Sequence, residues 1–454
     1  MSYKAPPNGF RTFLILWASQ AVSTFGTALT LFALNIWLVQ VVYPLPEQKG
    51  SLAWSLAALG MVSGICTIAA TPIAGALADR LDRKQMMLTG DFLNGLIMAS
   101  VTYLMATDQL AVWMALIATG LLAIVGAVHG SAFDTSYAML LTDAQLPRAN
   151  GMMQTIWSLS SLLSPAIAAT IIALPSLARQ GVLPGLVGEA LGGLQNGAAL
   201  AMGIDSATFF LSGLVLLFLS IPSPQRADLA AGTGKRPSIW SDVRFGALFI
   251  WQRRPLLWLL VTFAIVNLTL QLGVFLPLIV KEELALDWTG RSMTYETALA
   301  AINTALAAGG LAGGAAVSLW GGAKRRRTLV LLLSMLVTGL LQIAVGFSSS
   351  LYVAMGIMFL WDFMAPVSNA HSQAIWQGQV PRELQGRVFA IRRVFAWSLG
   401  PLGQVVAGFL AAVMAPGMGF ALLGGVLTLV CLLQLFNPGL LRLDDPEYMA
   451  SLGA

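Results

Sequence analysis

The feature that most constrains this chain is its hydropathy pattern: apolar stretches long enough to cross a bilayer follow one another along its whole length. A spanning helix needs roughly 20 apolar residues. Segments near 12–41, 52–78, 86–106, 110–133, 150–174, 197–221, 256–280, 297–320, 328–346, 351–376, 387–414 and 418–436 all reach about that length. In hydrocarbon each segment must bond its own backbone groups, so each is read as a helix. The expected fold is therefore an all-α membrane protein with twelve transmembrane helices. Composition agrees, since 57% of residues are hydrophobic and only 10% charged, against about 25% charged in soluble domains. Cys66 and Cys431 both lie inside apolar runs, which argues against a disulfide framework. The first apolar segment is long enough to act as an uncleaved start-transfer helix.

Charge placement sets the expected orientation. With the N-terminus inside, all but four of the 25 basic residues fall on the inner side, the exceptions being Lys49, Arg179, Lys281 and Arg291. That bias predicts cytoplasmic N- and C-termini. The net charge of +5 is thus a mark of topology rather than a nucleic-acid footprint, which needs clustering on one face. Residues 222–255 are rich in Pro, Gly, Ser and charge, and read as a cytoplasmic linker with an amphipathic helix over Ile239 to Gln252. The expected division is a six-helix bundle over 1–221, this linker, a second bundle over 256–436 and a cytoplasmic tail over 437–454. The linker's Gly232-Thr-Gly-Lys235 is no P-loop, because Leu229 and Arg236 stand where Gly and Ser or Thr are required.

Two internal echoes point to related halves. Leu146-Pro-Arg-Ala-Asn-Gly151 opens the fifth span and Val380-Pro-Arg-Glu-Leu-Gln-Gly386 the eleventh. The run Gly321-Gly-Ala-Lys-Arg-Arg-Arg327 after the eighth span repeats, without its acid, the loop after the second, Gly75-Ala-Leu-Ala-Asp79-Arg80-Leu-Asp82-Arg83-Lys84. That loop resembles the loop 2-3 motif of the major facilitator superfamily, with Asp82 in place of the usual Gly. The first span, with Arg11, Phe13, Trp17, Gln20, Ser23, Gly26, Ala33, Asn35 and Trp37, resembles the enterobactin-exporter and macrolide-efflux branch. The resemblance implies two pseudo-symmetric six-helix bundles that rock around a midplane cavity. Gly75, Asp79, Arg80, Arg83, Lys84 and Asp91 would form the gating motif, although topology anchoring alone also accounts for the basic residues. Two departures concern coupling: Leu121 and Leu122 occupy the fourth-span region where drug exporters carry Arg, and Ser164-Pro165-Ala-Ile-Ala-Ala169 replaces most glycines of the antiporter motif.

Ionisable groups inside spans cost about 2.5–3.5 kcal/mol each on insertion scales, and usually face an internal cavity. Asp362, Asp205, Asp134, His371 and His129 are therefore the proton-coupling candidates. Asp362 ranks first because Pro366 frees its carbonyl and Asn369, His371 and Gln373 follow on the same helix. Asp91 reads as a brace for the inner gate through Arg83, Asp134 equally as a solvated helix end, and the histidines equally as helix-bridging groups. Two histidines without spaced carboxylates make no metal site. Gln20, Asn35, Asn267, Gln271, Asn369 and Gln373 are the substrate-cavity candidates, with interhelical hydrogen bonding as the alternative. Arg392 and Arg393 read as contacts to lipid phosphate or to the Asp79 loop.

Together these features predict a monomeric secondary transporter, not an enzyme, with no cofactor. It would use protons to export a drug, macrolide-like or siderophore-like small molecule across a bacterial inner membrane. A lipid or lysophospholipid flippase, an importer and a non-transporting receptor or scaffold share the same fold and remain alternatives.

Overall fold

A computed structural model describes residues 6–78, 81–142, 145–194, 196–221, 239–380, 385–445 and 448. These residues form helices and connecting turns. In chain order they are α1 (Gly9–Trp37), α2 (Lys49–Ala78), α3 (Arg83–Ala106), α4 (Val112–Leu140), α5 (Leu146–Arg179), α6 (Gly185–Gly192), α7 (Gly197–Phe218), α8 (Ile239–Gln252), α9 (Arg254–Thr269), α10 (Leu272–Glu282), α11 (Ala285–Gly290), α12 (Tyr295–Trp320), α13 (Arg327–Gly346), α14 (Leu351–Gln379), α15 (Gln385–Val413), α16 (Pro416–Leu435) and α17 (Pro438–Leu441). Among the described residues eleven stretches are long and apolar enough to span a membrane, α9 and α10 together making one. The twelfth helix of the fold is α3, 24 residues long. Arg83, Lys84, Asp91 and Asn94 make it more polar than the others.

The chain divides into two compact units, one of Met1–Gln48 with Ala58–Ala231, the other of Lys49–Ala57 with Gly232–Ala454. Residues 222–238 of the expected linker lie outside the described residues. The assignment of Lys49–Ala57 to the second unit was not expected. It follows from packing there: Gly408 of α15 lies against Ala57 and Trp54, and Lys49 pairs with Glu282 at 3.4 Å. In the first unit α7 packs on α1 and α3, α3 on α4, and α5 on α1. The second unit repeats the plan, with α16 on α13, α13 on α14, and α15 on α9.

Lipid offers no hydrophobic driving force between helices, so small residues that admit a neighbouring backbone hold the seams together. On α12 a Cβ at Gly309 or Gly313 would run into the carbonyls of Phe359 and Phe363 on α14. Apolar clusters close the units where helix ends converge. Phe13, Leu16, Met87, Leu140 and Leu216 do so in the first, and Leu259, Leu331, Trp376, Leu427 and Cys431 in the second. Leu440 and Leu443 join the latter cluster, and Gln379 donates to the carbonyl of Leu443 at 2.7 Å. The start of the expected tail is therefore packed onto the bundle.

Candidate functional site

The first unit holds a partly open cavity of about 340 Å³ lined by α1, α2, α3, α4 and α7. Three titratable side chains border it, Asp91, His129 and Asp205, and no Lys or Arg does. Asp91 and Asp205 are each only 1% exposed. Gln20 donates to the Ser212 hydroxyl at 2.8 Å, and that hydroxyl donates to Asp91 Oδ2 at 2.9 Å. Asp91 Oδ1 stands 3.2 Å from His129 Nε2. This is an ion-pair distance, although its angle leaves Nε2 without a formal hydrogen bond. Gly90, one residue before Asp91, lets α3 approach this close, since the His129 Cβ already lies 3.1 Å and its ring 3.3 Å from where a Cβ would stand.

Asp205 occupies the other side of the same cavity, at the seam of α1 and α7. Thr30 donates to its Oδ2 at 2.6 Å, and the Thr208 hydroxyl lies 3.5 Å from Oδ1. A Cβ on Gly26 would collide with both Asp205 and Thr208. Glycine is thus what allows α1 to lie against this carboxylate.

The second unit holds a partly open cavity of about 510 Å³. Asn267, Asn369 and Gln373 line it, together with Trp361, Trp376, Trp397, Arg392 and Arg393. Arg392 is not turned to lipid: it donates to Gln373 Oε1 at 2.9 Å and to Ser372 Oγ at 3.0 Å. Asp362 is not among the lining residues. One position on from Trp361, it faces α12 instead, where a Cβ on Gly310 would meet its carboxylate. His371 is 2% exposed. Its Nε2 accepts from the Ala323 N–H at 2.9 Å, so Nδ1 carries the proton toward Val367 O at 2.7 Å. Both ring nitrogens are therefore occupied in stapling the loop after α12 to α14.

The seventh span is broken at Leu270 and Gln271, between α9 and α10. Freed carbonyls at a break in a membrane helix need donors. Gln271 donates back to Asn267 O and Leu268 O at 2.6 and 3.2 Å, and Gln342 of α13 donates to Thr269 O at 3.1 Å. Gln271 thus serves its own backbone, as do Asn35, which bonds Leu31 O, and Asn267, which bonds Phe263 O. Asp134 is exposed on α4 and borders neither cavity.

Of the loop motif, Asp79 and Arg80 lie outside the described residues. Arg83 is buried and forms no brace with Asp91. Its Nε donates to Ala78 O at 3.1 Å and its Nη1 to Thr135 O at 3.3 Å, tying the end of α2 to α4. Lys84 donates to Leu217 O at 2.9 Å, at the end of α7. Cations suit such carbonyl ends. Asp82 caps α3 by accepting from the Gln85 N–H at 2.9 Å, a reason for Asp where the family has Gly. Gly75 has nothing within 4 Å of where a Cβ would stand, so the close helix approach expected there is absent among the described residues.

The Major Facilitator Superfamily model matches residues 16–403. The chain belongs to that superfamily. It is a multi-pass transporter rather than an enzyme. It is 22% identical to macrolide efflux protein A of Streptococcus pyogenes over 92% of this chain and 94% of that protein. It is 25% identical to the multidrug efflux pump Tap of Mycolicibacterium fortuitum over 95% of this chain and 96% of the pump. Among solved structures, the nucleoside transporter NupG superposes with a TM-score of 0.63 at 12% identity, covering 93% of this chain and 98% of that one. A bacterial homolog of the human lysosomal transporter Spinster gives 0.62 at 15%, covering 99% and 95%. These structural likenesses establish the fold alone.

Gln342 and the hydroxyls of Thr30 and Ser212 were not singled out from sequence. Most hydroxyls in these helices bond their own i−4 carbonyl, as Thr24 and Thr119 do, so no pattern separates the few that reach a carboxylate.

Proposed function

We propose that the protein is a proton-driven exporter of amphipathic small molecules. It works as a monomer by alternating access in a bacterial inner membrane, with both termini cytoplasmic. The observation that carries the coupling step is the convergence of Asp91, His129 and Asp205 on one cavity. Asp91 and His129, 3.2 Å apart, can exchange one proton once a small rotation of the imidazole brings Nε2 into line with the carboxylate. The hydroxyls of Ser212 and Thr30 hold the charged forms while water reaches them. Asp205 ties its own protonation to the α1–α7 seam, because the Thr30 hydrogen bond across that seam is strongest to a carboxylate. The efflux direction and the cargo class rest on the two relatives named as efflux pumps.

Asp362 remains a second coupling candidate. It has no hydrogen-bond or ion-pair partner among the described residues, and its protonation would act on the α12–α14 seam at Gly310.

The test is substrate flux into proteoliposomes driven by an imposed pH gradient. Asp205→Asn and Asp91→Asn are expected to abolish the gradient-driven component while substrate exchange without a gradient persists. Full gradient-driven transport in both variants would refute the coupling assignment. If Asp362→Asn alone abolished it, coupling would move to the second unit.

A further inference from the structure

The second unit's cavity holds two guanidinium groups and no acid among its lining residues. Arg392 uses part of its N–H fork on Gln373 and Ser372, and Arg393 has no hydrogen-bond or ion-pair partner among the described residues. Two adjacent cations without a counter-ion repel each other, and the arrangement is relieved when an anion arrives. The planar fork of arginine matches carboxylate and phosphate oxygens.

The walls around this pair are aromatic. The Arg392 guanidinium lies 5.1 Å from the Trp376 ring centre and 6.0 Å from that of Phe389, so the rings fix its direction. The indole N–H of Trp361, a residue 5% exposed, has no acceptor among the described residues. A buried donor left open in this way is a place for a ligand oxygen. Asn369 and Gln373 add neutral polar groups on the same helix, and the volume of about 510 Å³ is that of an ordinary small-molecule site.

We infer that this cavity binds the oxyanionic head, carboxylate or phosphate, of an amphipathic molecule, with Arg392 and Arg393 on the head and the tryptophans on its apolar body. The inference narrows the cargo of the proposed exporter to anions and rests on that reading only for the ligand's being cargo. Binding itself requires no transport.

The experiment titrates purified protein in phosphatidylcholine nanodiscs with three probes sharing one apolar body: naphthyl phosphate, naphthoate and naphthylmethylammonium. The two anions are expected to bind about tenfold or more tighter than the cation, the usual scale of charge-assisted hydrogen bonds. Arg392→Gln/Arg393→Gln should erase the preference, and Arg393→Lys should retain most of it. Should the double variant fold poorly, Arg393→Gln alone suffices, because that side chain has no hydrogen bond or ion pair to lose among the described residues, and a roughly threefold weakening of the anions is expected. Equal affinity for the cation, or anion binding untouched by Arg393→Gln, would overturn the proposal.

Repeating the titration in phosphatidylglycerol nanodiscs identifies the source of the head group. Weakened naphthyl phosphate binding there supports a bilayer lipid as occupant, and unchanged binding supports a water-borne amphipath. Asp205→Asn, which the coupling scheme expects to be inactive in gradient-driven flux, should bind the anions as wild type does. A failure of anion binding and a failure of proton coupling are therefore read separately.

Discussion

The two cavities are opposites. The first unit's is lined by Asp91, Asp205 and His129 with no Lys or Arg, and the second's by Arg392 and Arg393 with no Asp or Glu. Their surroundings differ in the same sense. Hydroxyls bond the carboxylates, while Arg392 is held by the Gln373 amide, the Ser372 hydroxyl and the rings of Trp376 and Phe389. A carboxylate can take up and release a proton, whereas a guanidinium stays charged. The first cavity is therefore suited to a cycle of charging and discharging, and the second to fixed recognition of charge. Repeated helix pairing in the two units has been given two different chemistries.

Exchanging charges between these cavities is the most severe challenge to that contrast, and the coupling residues should show the largest effect. Asp205→Asn is expected to bring gradient-driven flux close to background, a loss of about a hundredfold if its proton transfer contributes as acid–base groups usually do. His129→Gln should have an intermediate effect: Asp91 keeps Ser212 but loses its imidazole neighbour, so the pH profile of transport flattens while flux at its optimum falls less. A pH profile unchanged in His129→Gln would separate the histidine from coupling and leave Asp91 and Asp205 alone. In the second cavity, Asn369→Asp places a carboxylate beside the arginines. It should weaken naphthyl phosphate binding about tenfold or less by occupying a guanidinium, with gradient-driven flux of a neutral substrate unaffected.

The loop motif gives a smaller effect, on stability. Asp82→Ala removes the cap at the Gln85 N–H and should cost about 1 kcal/mol, read as a lower Tm in detergent. Gly75→Ala, with open space around its Cβ, should leave Tm unchanged or slightly raised. A large loss of stability at Gly75 would show that the helix packs there more tightly than the described contacts indicate.

How far the sequence was readable depends on the kind of signal. Helix positions and the two-bundle plan were legible because a bilayer demands long apolar runs, and even the break at Gln271 left a glutamine in an apolar stretch as its trace. Residues of the cavities were legible as types, since buried charge is costly in lipid, but not as partners. Asp91 was expected to meet Arg83, eight positions away, and instead meets His129 across α3 and α4. Arg83 is drawn off by the free carbonyls at the end of α2, which no residue pattern announces. Arg392 and Arg393 were read as meeting lipid phosphate or the Asp79 loop because they sit near a span end. The helical phase that turns them inward beside Gln373 is set by packing of α15 on α9. Asp362 and Trp361 are one residue apart, and that single step of about 100° decides which of them borders the cavity.

The smallest expected effects come from outside the spans, where two acids near one another titrate in opposite senses. Asp287 receives two hydrogen bonds from Arg291, at 2.9 and 3.0 Å, and one from the Leu351 N–H. The Arg291 bond, first, and that backbone bond hold its carboxyl below the usual Asp value. Its stabilising contribution is present above the unfolded value of about 3.9 and fades as pH falls through the lower folded value. Glu283, half-buried, is pushed up by loss of water, although the Gly417 N–H at 2.6 Å opposes the shift. Its folded state prefers the proton, so stability falls as pH rises from about 4.3 through the raised value. Glu283→Gln should remove that decline, and Asp287→Asn should remove the acid-side loss, each read as a small shift in Tm against pH. Neither should alter the pH profile of gradient-driven flux. If Glu283→Gln did alter it, a group at the end of the seventh span would share in coupling, and the division of labour between the two cavities would be incomplete.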